Sequence, residues 1–317
     1  MAASDTDVER RREAPSRRRT TRDRRSSGPG GVGRRWLPYG LLAVPLAVYA
    51  TFVLYPLATT VRLSFYEWDG LTTPTFNGLT NYLDLVRDDT FIGALVHNGA
   101  FLIFYTVVPV ALALLLTVLL TQEGTVRGLG VYRVGLFVPQ VMPMVVVGVV
   151  WRWMYSPVDG AINELLGLVG VDPIPFLGDA STALPAVGLV ASWVQYGFAM
   201  VLFMAGVQSI DRTLYDAASV DGAGQWAKFR YVTLPGLRGP IVVATTVSMI
   251  AALRVFDLVF VMTRGGPARR TTVVAFEIYQ RAFQLREVGG AAAAATVLVV
   301  LILVLSRFVL RFQEEDA

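Results

Sequence analysis

Long apolar runs alternate with short polar stretches along the chain. Six of these runs approach the ~20 residues that a helix needs to cross a bilayer. The predicted spans cover residues 37–61, 95–120, 131–155, 185–207, 240–263 and 290–310. Pro139 and Pro143 lie inside the third run, and because proline removes a helical hydrogen bond, we expect a bent helix there. The pattern predicts an all-α membrane protein with six transmembrane helices, within residues 36–313.

Two of the segments between spans have a pattern of their own. Leu79, Tyr82, Leu83 and Val86 recur at helical spacing before the second span, which predicts a short interfacial helix. The stretch from Tyr215 to Pro235, within the loop 208–239, is mostly polar and lies between the fourth and fifth spans. Gly222 permits a sharp turn in this stretch because glycine adopts positive φ freely. A second short segment, Gln225–Thr233, follows, and Leu234-Pro235 is expected to stop it.

The composition supports a membrane location. Hydrophobic residues make up 54% of the 317 residues and charged residues 16%, with a mean hydropathy of +0.53. Soluble domains carry about 25% charged residues. The chain has no cysteine, which excludes disulfide scaffolds and cysteine-ligated metals. His97 is the only histidine, so no metal site is predicted, and we interpret His97 as a polar residue at a helix end.

Residues 1–35 form a basic tail with eleven Arg and five acidic residues. The tail is rich in Ser, Pro and Gly, which predicts disorder. A nucleic-acid-binding arm would have this charge, but the positive-inside bias explains it more simply, with lipid as the neighbour. Both termini are then cytoplasmic. One loop violates the bias, because residues 264–289 carry five Arg against two Glu while the number of spans places them outside.

Charged and polar residues inside the spans are candidates for a substrate pathway. Arg254 and Asp257 are three residues apart inside the fifth span, which places them on one helical face. Buried charges in a membrane are costly and are commonly functional, although an Arg–Asp pair that only holds packing is the alternative. In the fourth span, amide and aromatic side chains suit the hydroxyls and C–H faces of sugars, unless they only face lipid: Trp193, Gln195, Tyr196 and Phe198.

The stretch 215–235, Y-D-A-A-S-V-D-G-A-G-Q-W-A-K-F-R-Y-V-T-L-P, resembles the EAA loop of permease subunits of ABC importers. The outer W-D-G and the R-V-F-D-L-V-F-V-M-T-R-G-G-P run from Arg254 to Pro267 resemble the maltose- and glycerol-phosphate-type branch. The resemblance implies a type I ABC importer permease fold. It also implies that the loop 208–239 couples to a cytoplasmic ATPase through Asp216, Ala217, Ala218, Asp221, Gly222, Ala223, Phe229, Leu234 and Pro235.

The resemblance further implies partners and an in-membrane sugar site. The partners would be a second homologous permease subunit, two copies of a cytoplasmic ATPase that bind the ATP, and an extracytoplasmic sugar-binding protein. The corresponding sugar-site positions in this chain are Ala191, Val194, Gln195, Phe198, Ser248, Ala251, Ala252 and Val255. Several are small or aliphatic here but aromatic or amide in the maltose-type subunit. Either the ligand differs, or the partner permease and the binding protein carry the specificity.

No motif for catalysis is present in the sequence. It contains neither the G-x-x-x-x-G-K-[ST] phosphate loop nor the G-x-S-x-G nucleophile elbow. We therefore expect a non-enzymatic permease subunit that moves a carbohydrate across the cytoplasmic membrane, without a cofactor of its own and without a nucleic-acid partner. One alternative is an ion-gradient-driven carrier or channel that uses Arg254 and Asp257 as a charge relay. Another is a membrane scaffold or sensor that binds the ATPase but moves no solute.

Overall fold

The computed structural model describes residues 33–122 and 129–314. Most of the basic tail and of the loop after the second span therefore lies outside the described residues. The chain divides into two compact units, residues 1–54 and 55–317. The described part of the first unit is helix α1, Gly33–Tyr49, and a π-helical turn, Ala50–Leu54.

In the second unit the described residues are almost all helical. The α-helices are α2 Tyr55–Leu63, α3 Thr80–Arg87, α4 Asp89–Leu102, α5 Val108–Gln122, α6 Leu129–Val141, α7 Met144–Met154, α8 Ala161–Gly167, α9 Ala183–Ser209, α10 Arg212–Val220, α11 Gln225–Lys228, α12 Leu234–Gly236, α13 Arg238–Leu253, α14 Asp257–Met262, α15 Val274–Tyr279 and α16 Val288–Glu314. Two short antiparallel strands, β1 Tyr66–Glu67 and β2 Thr75–Phe76, form one hairpin.

Four helical stretches are long and apolar enough to cross a membrane: Tyr39–Leu63, Asp89–Leu119, Ala183–Ser209 and Val288–Arg311. Two bent pairs pass the same test, Val134–Val141 with Met144–Met154 and Gln225–Gly236 with Arg238–Leu253. If each pair counts as one span, the described residues contain six spans, the number that the sequence predicts. The protein is therefore an all-α, multi-pass membrane protein.

Proline determines the bend in the third span, as predicted. The two halves meet at 103°, and Pro143 lies between them in an extended conformation. Pro139, by contrast, stays inside α6. The fifth span differs from its prediction as one helix over 240–263. Helix α13 ends at Leu253, and the next helix starts only at Asp257.

Three π-helical turns each precede a proline by two residues. Ala50–Leu54 is followed by Pro56, Ile103–Val107 by Pro109, and Phe229–Thr233 by Pro235. Proline lacks the amide that an α-helix requires, and its ring clashes with the preceding turn. We attribute the uninterrupted helix at these sites to the wider π turn, which gives the ring room. The expectation that Leu234-Pro235 stops its helix holds to within one residue, because the helix ends at Gly236 and the chain bends by 67° before Arg238.

The segment before the second span contains the predicted short helix. Helix α3 buries Leu85 but exposes Leu79, Leu83 and Val86, which suits a helix lying at a membrane interface. The hairpin turn before it is closed by Asp69, whose carboxylate accepts hydrogen bonds from Thr72 and Leu71. These bonds lower the pKa of Asp69 to about 2.

Helix α9 is the centre of the second unit. Of its apolar window, 72% is buried, a larger share than in any other uninterrupted span of the described residues. The helix packs against α5, α6 and α13. Gly206 permits the contact near its end, because a Cβ there would lie 2.6 Å from Leu237 Cδ2. The core around α9 is made of aliphatic and aromatic side chains from these helices and from α4, α7, α14 and α15.

Candidate functional site

Helix α10 forms the first arm of the central loop, residues 208–239. Asp211 caps the helix by accepting a hydrogen bond from the Thr213 N–H at 2.9 Å, and this bond lowers the pKa of Asp211. The helix ends at Val220, and the φ of +75° at Gly222 just beyond it confirms the predicted turn. The Ala223 N–H donates to the Ala218 carbonyl oxygen at 2.8 Å, which closes the last turn of the helix.

The second arm runs from α11 through the π turn to α12. It is joined to the first arm by a hydrogen bond of 2.9 Å between the Tyr215 hydroxyl and Thr233 Oγ1. The rings of Trp226 and Phe229 pack at a centroid distance of 5.4 Å. The two arms therefore form one ordered hairpin of helices.

The central loop presents an unusual amount of apolar surface. No side chain of α10 or α11 is buried. Leu214, Val220, Trp226 and Tyr231 are 54%, 88%, 75% and 77% exposed. A helix of nine residues is marginal alone in water and normally needs a packed face. Exposed apolar patches of this kind are typical of surfaces that bind other proteins or a membrane.

All nine predicted coupling residues lie in these two arms. Five of them are exposed and four are half-buried, and the local turn brings the small side chains beside Gly222. The exposed residues are Asp216, Ala217, Asp221, Gly222 and Pro235, and the half-buried residues are Ala218, Ala223, Phe229 and Leu234.

Arg254 and Asp257 do not share a helical face, which corrects the sequence prediction. Arg254 follows the last residue of α13, and Asp257 begins α14, where the helix dipole favours a carboxylate. Both side chains are exposed. Among the ion pairs of residues 33–122 and 129–314, none joins the two. The prediction failed because three residues between the two helices are not helical.

Asn98 of α4 stabilises this break in the fifth span. Its Nδ2 donates to the carbonyl oxygens of Ala252 and Leu253, at 3.2 and 2.9 Å. Its Oδ1 accepts from the Val274 N–H at 2.8 Å. Only 1% of Asn98 is exposed. The side chain thus satisfies two carbonyls at the end of α13 and ties them to the loop that follows the span.

The predicted residues of the fourth span lie mainly in packed surroundings. Gln195 Nε2 donates to Ser248 Oγ at 2.9 Å, which links the fourth and fifth spans inside the core. Tyr196 is buried, and Phe198 is half-buried. Trp193 packs edge-on against Trp151 at 5.4 Å. The structure therefore brings Gln195 and Ser248 together.

The remaining positions of the implied sugar site are closed within this subunit. Ala191, Val194 and Ala252 have no exposed surface, and Val255 is 3% exposed. Ala251 is half-buried. Access to these positions in this conformation would require the fourth and fifth spans to separate.

The loop 264–289 is fastened to the second span. Arg281 bonds Asp88 and also donates to Glu277 Oε1 at 2.9 Å, with 8% and 3% of Arg281 and Glu277 exposed. Burial raises the pKa of Asp88, but the Thr90 N–H and the Arg281 charge outweigh it, so that pKa lies below its ordinary value. Asp88 and Glu277 neutralise Arg281, which reduces the excess positive charge of the loop 264–289.

His97 also bonds the second span to the loop 264–289. It lies inside α4, not at a helix end, and its Nδ1 is 2.8 Å from the Thr272 carbonyl oxygen. Because a carbonyl only accepts, Nδ1 carries the proton. Sequence reasoning missed the adjacent Asn98, although a polar residue within an apolar span is a usable signal.

A cavity of about 490 Å³ opens where the third and fifth spans end. Arg152, Tyr155, Leu177, Met262 and Pro267 are among its lining residues. The described residues include no group of three or more His, Asp or Glu side chains suited to a metal ion. The chemistry available in this part of the chain is hydrogen bonding and stacking.

Comparisons with known proteins agree with this architecture. Residues 130–315 match the family described as binding-protein-dependent transport system inner membrane component. The chain is 33% identical to the probable ABC transporter permease protein YurN of Bacillus subtilis, over 87% of this chain and 95% of that protein. It is 34% identical to the diacetylchitobiose uptake system permease protein NgcF of Streptomyces coelicolor, over 84% and 79%.

Two relatives of known substrate or structure extend the comparison. The lactose transport system permease protein LacF of Rhizobium radiobacter is 31% identical, over 86% of this chain and 91% of that protein. A bacterial alginate ABC transporter, solved with an alginate pentasaccharide-bound periplasmic protein, aligns with a TM-score of 0.74 and 25% identity, over 88% and 94%. The chain therefore belongs to the family of inner-membrane components of binding-protein-dependent transport systems.

Proposed function

We propose that this chain translocates a carbohydrate as one permease subunit of an ATP-driven importer. Named relatives take up diacetylchitobiose, lactose and arabinooligosaccharides, which supports a sugar as the cargo. The complex would contain a second permease subunit, two cytoplasmic ATPases that bind the ATP, and an extracytoplasmic sugar-binding protein. The ion-gradient-driven carrier has no support from the family match.

The exposed central loop is the observation that carries this proposal. It would face the cytoplasm, together with both chain termini, and its uncovered apolar side chains would dock into the ATPase. The loop joins α9 of the fourth span directly to α13 of the fifth span. A push on it would therefore move the fourth and fifth spans against each other, which is what opening the closed Gln195–Ser248 contact requires.

Asp216→Lys tests the coupling role in the reconstituted four-component importer. Reversing an exposed charge in the docking surface should abolish both sugar uptake and its stimulation of ATP hydrolysis, while the subunit still assembles in the membrane. The matched control is Asp84→Lys, a charge reversal at an exposed position of α3. Uptake by Asp216→Lys at the rate of the unmodified protein would refute the coupling role. If the unmodified chain bound the ATPase but gave no uptake, it would be a scaffold and not a permease.

A further inference from the structure

Five aromatic rings form a continuous ladder from the loop 264–289 to the break in the fifth span. Phe283 packs against Tyr279 at a centroid distance of 5.3 Å, and Tyr279 packs against Phe256 and Phe260 at 5.6 and 5.4 Å. Phe256 and Phe260 are stacked at 5.2 Å. Phe276 lies behind them, within 6.3 Å of three of the rings. We call this set the aromatic ladder.

The rings of the ladder differ in their exposure. Phe283 is 75% exposed, and Phe276, behind the others, is 2% exposed. Tyr279, Phe256 and Phe260 are half-buried. Phe276 belongs to the buried core, and Phe256, Phe260 and Tyr279 pack against that core, so the ladder runs from the core to the surface. Part of the surface of four rings is available to a ligand.

The exposed charges beside the ladder indicate what this side of the protein faces. Arg254 and Asp257 flank the break next to Phe256, are exposed, and do not pair with each other. A charged side chain within a membrane span is costly when it faces lipid, so such residues normally face water or protein. The inner end of the ladder is therefore beside a polar region.

We propose that the aromatic ladder is a binding track for the rings of a carbohydrate, leading from Phe283 to the break at Arg254–Asp257. Sugar C–H faces stack on flat aromatic surfaces, and the spacing of successive rings is comparable to the width of one pyranose. The charged groups at the inner end and the Gln280 amide would bind hydroxyls, the usual combination of apolar walls and few polar groups. The proposal rests on the proposed function, since it names the class of ligand.

The ladder differs from the sugar positions implied by sequence resemblance. Those positions include Ala191, Val194 and Ala252, which are buried between the fourth and fifth spans. The ladder is built from Phe256 in the break, from α14 and α15, and from the π turn Gln280–Leu285, and it remains partly open in this closed conformation. A sugar could therefore occupy the ladder before the spans separate.

Site-specific thiol protection tests the proposal, because the chain has no cysteine of its own. Gln284→Cys, next to Phe283, would be labelled in the full chain in lipid nanodiscs. Diacetylchitobiose, lactose and maltose serve as pyranose probes and sorbitol as an acyclic control. At least one pyranose should slow labelling, and sorbitol should not. Replacing Tyr279 and Phe283 by leucine should raise the half-protecting sugar concentration about tenfold, equivalent to roughly 1.4 kcal/mol. Phe52→Leu, at another exposed ring, should leave it unchanged.

Four other outcomes would overturn the proposal that the aromatic ladder binds a carbohydrate. Protection by none of the three sugars would do so, as would protection that persists without both rings or that sorbitol also gives. Labelling that is blocked in the assembled importer without sugar would show that the partner permease covers the ladder. A parallel uptake assay separates the two proposals. If one of the three sugars is taken up in an ATP-driven way but does not protect the thiol of Gln284→Cys, only the binding track is refuted. If none of the sugars is taken up in an ATP-driven way, the proposed function is refuted instead.

Discussion

The central loop and the loop 264–289 both connect apolar spans, but they are built in opposite ways. The central loop has two ordered arms whose helices α10 and α11 bury no side chain. The loop 264–289 buries Glu277 and Arg281 and is bonded to α4 through Asp88, His97 and Asn98. One loop leaves its side chains exposed, and the other uses them for contacts within the chain.

This difference indicates where motion can enter the subunit. A segment with few internal contacts has a low local stability and moves with whatever binds it. A segment fixed by several buried hydrogen bonds transmits motion without deforming. The central loop is therefore suited to receive a push, and the loop 264–289 is suited to keep the ends of the second, fifth and sixth spans together.

The largest effect is expected from changing the backbone of the central loop. Gly222→Pro forces a φ near −65° on a residue that stands at +75°, so the turn between the arms cannot form. Uptake should be abolished, whereas membrane insertion should not change. Gly224→Pro is the matched control, because Gly224 already has a φ of −69°. Equal uptake by the two variants would mean that the turn does not matter.

A smaller effect, on stability, is expected in the loop 264–289. Arg281→Ala leaves the buried Glu277 carboxylate without its partner, which typically costs about 3–5 kcal/mol. The Tm of the solubilised chain should fall clearly. Arg270→Ala removes an exposed charge of the same loop and should change stability by less than about 0.5 kcal/mol. Similar Tm values for both variants would show that the buried cluster of Arg281, Glu277 and Asp88 does not stabilise the chain.

The smallest and most local effect is expected at Asn98. Asn98→Leu removes the acceptor of the Val274 N–H and should cost about 1–3 kcal/mol, so hydrogen exchange at Val274 should accelerate. Asn163 is a matched control, since it also makes three hydrogen bonds, to Ser156 and Ile174. Asn163→Leu should accelerate exchange at Ile174 and not at Val274. Unchanged exchange at Val274 in Asn98→Leu would contradict the assigned role.

The sequence was sufficient to predict features that depend on the local chemistry of one or two residues. Proline at 143 gave the bend of the third span, and Gly222 gave the turn of the central loop. The break after Leu253 was not predicted, because Arg254 to Phe256 contain no residue that stops a helix. The break depends on Asn98, more than 150 positions earlier in the chain. The aromatic ladder was missed because its rings come from two segments whose packing across the loop after α14 is not visible in the local pattern of either.

The three π turns before proline have a consequence for the orientation of side chains. Each wide turn places one additional residue in the helix, which rotates everything beyond it by about 100° relative to an unbroken α-helix. Residues after Pro109 therefore point in directions that a uniform 3.6-residue count assigns to their neighbours. In the second span, proline therefore changes the direction of the side chains that follow it, while the helix continues to Gln122.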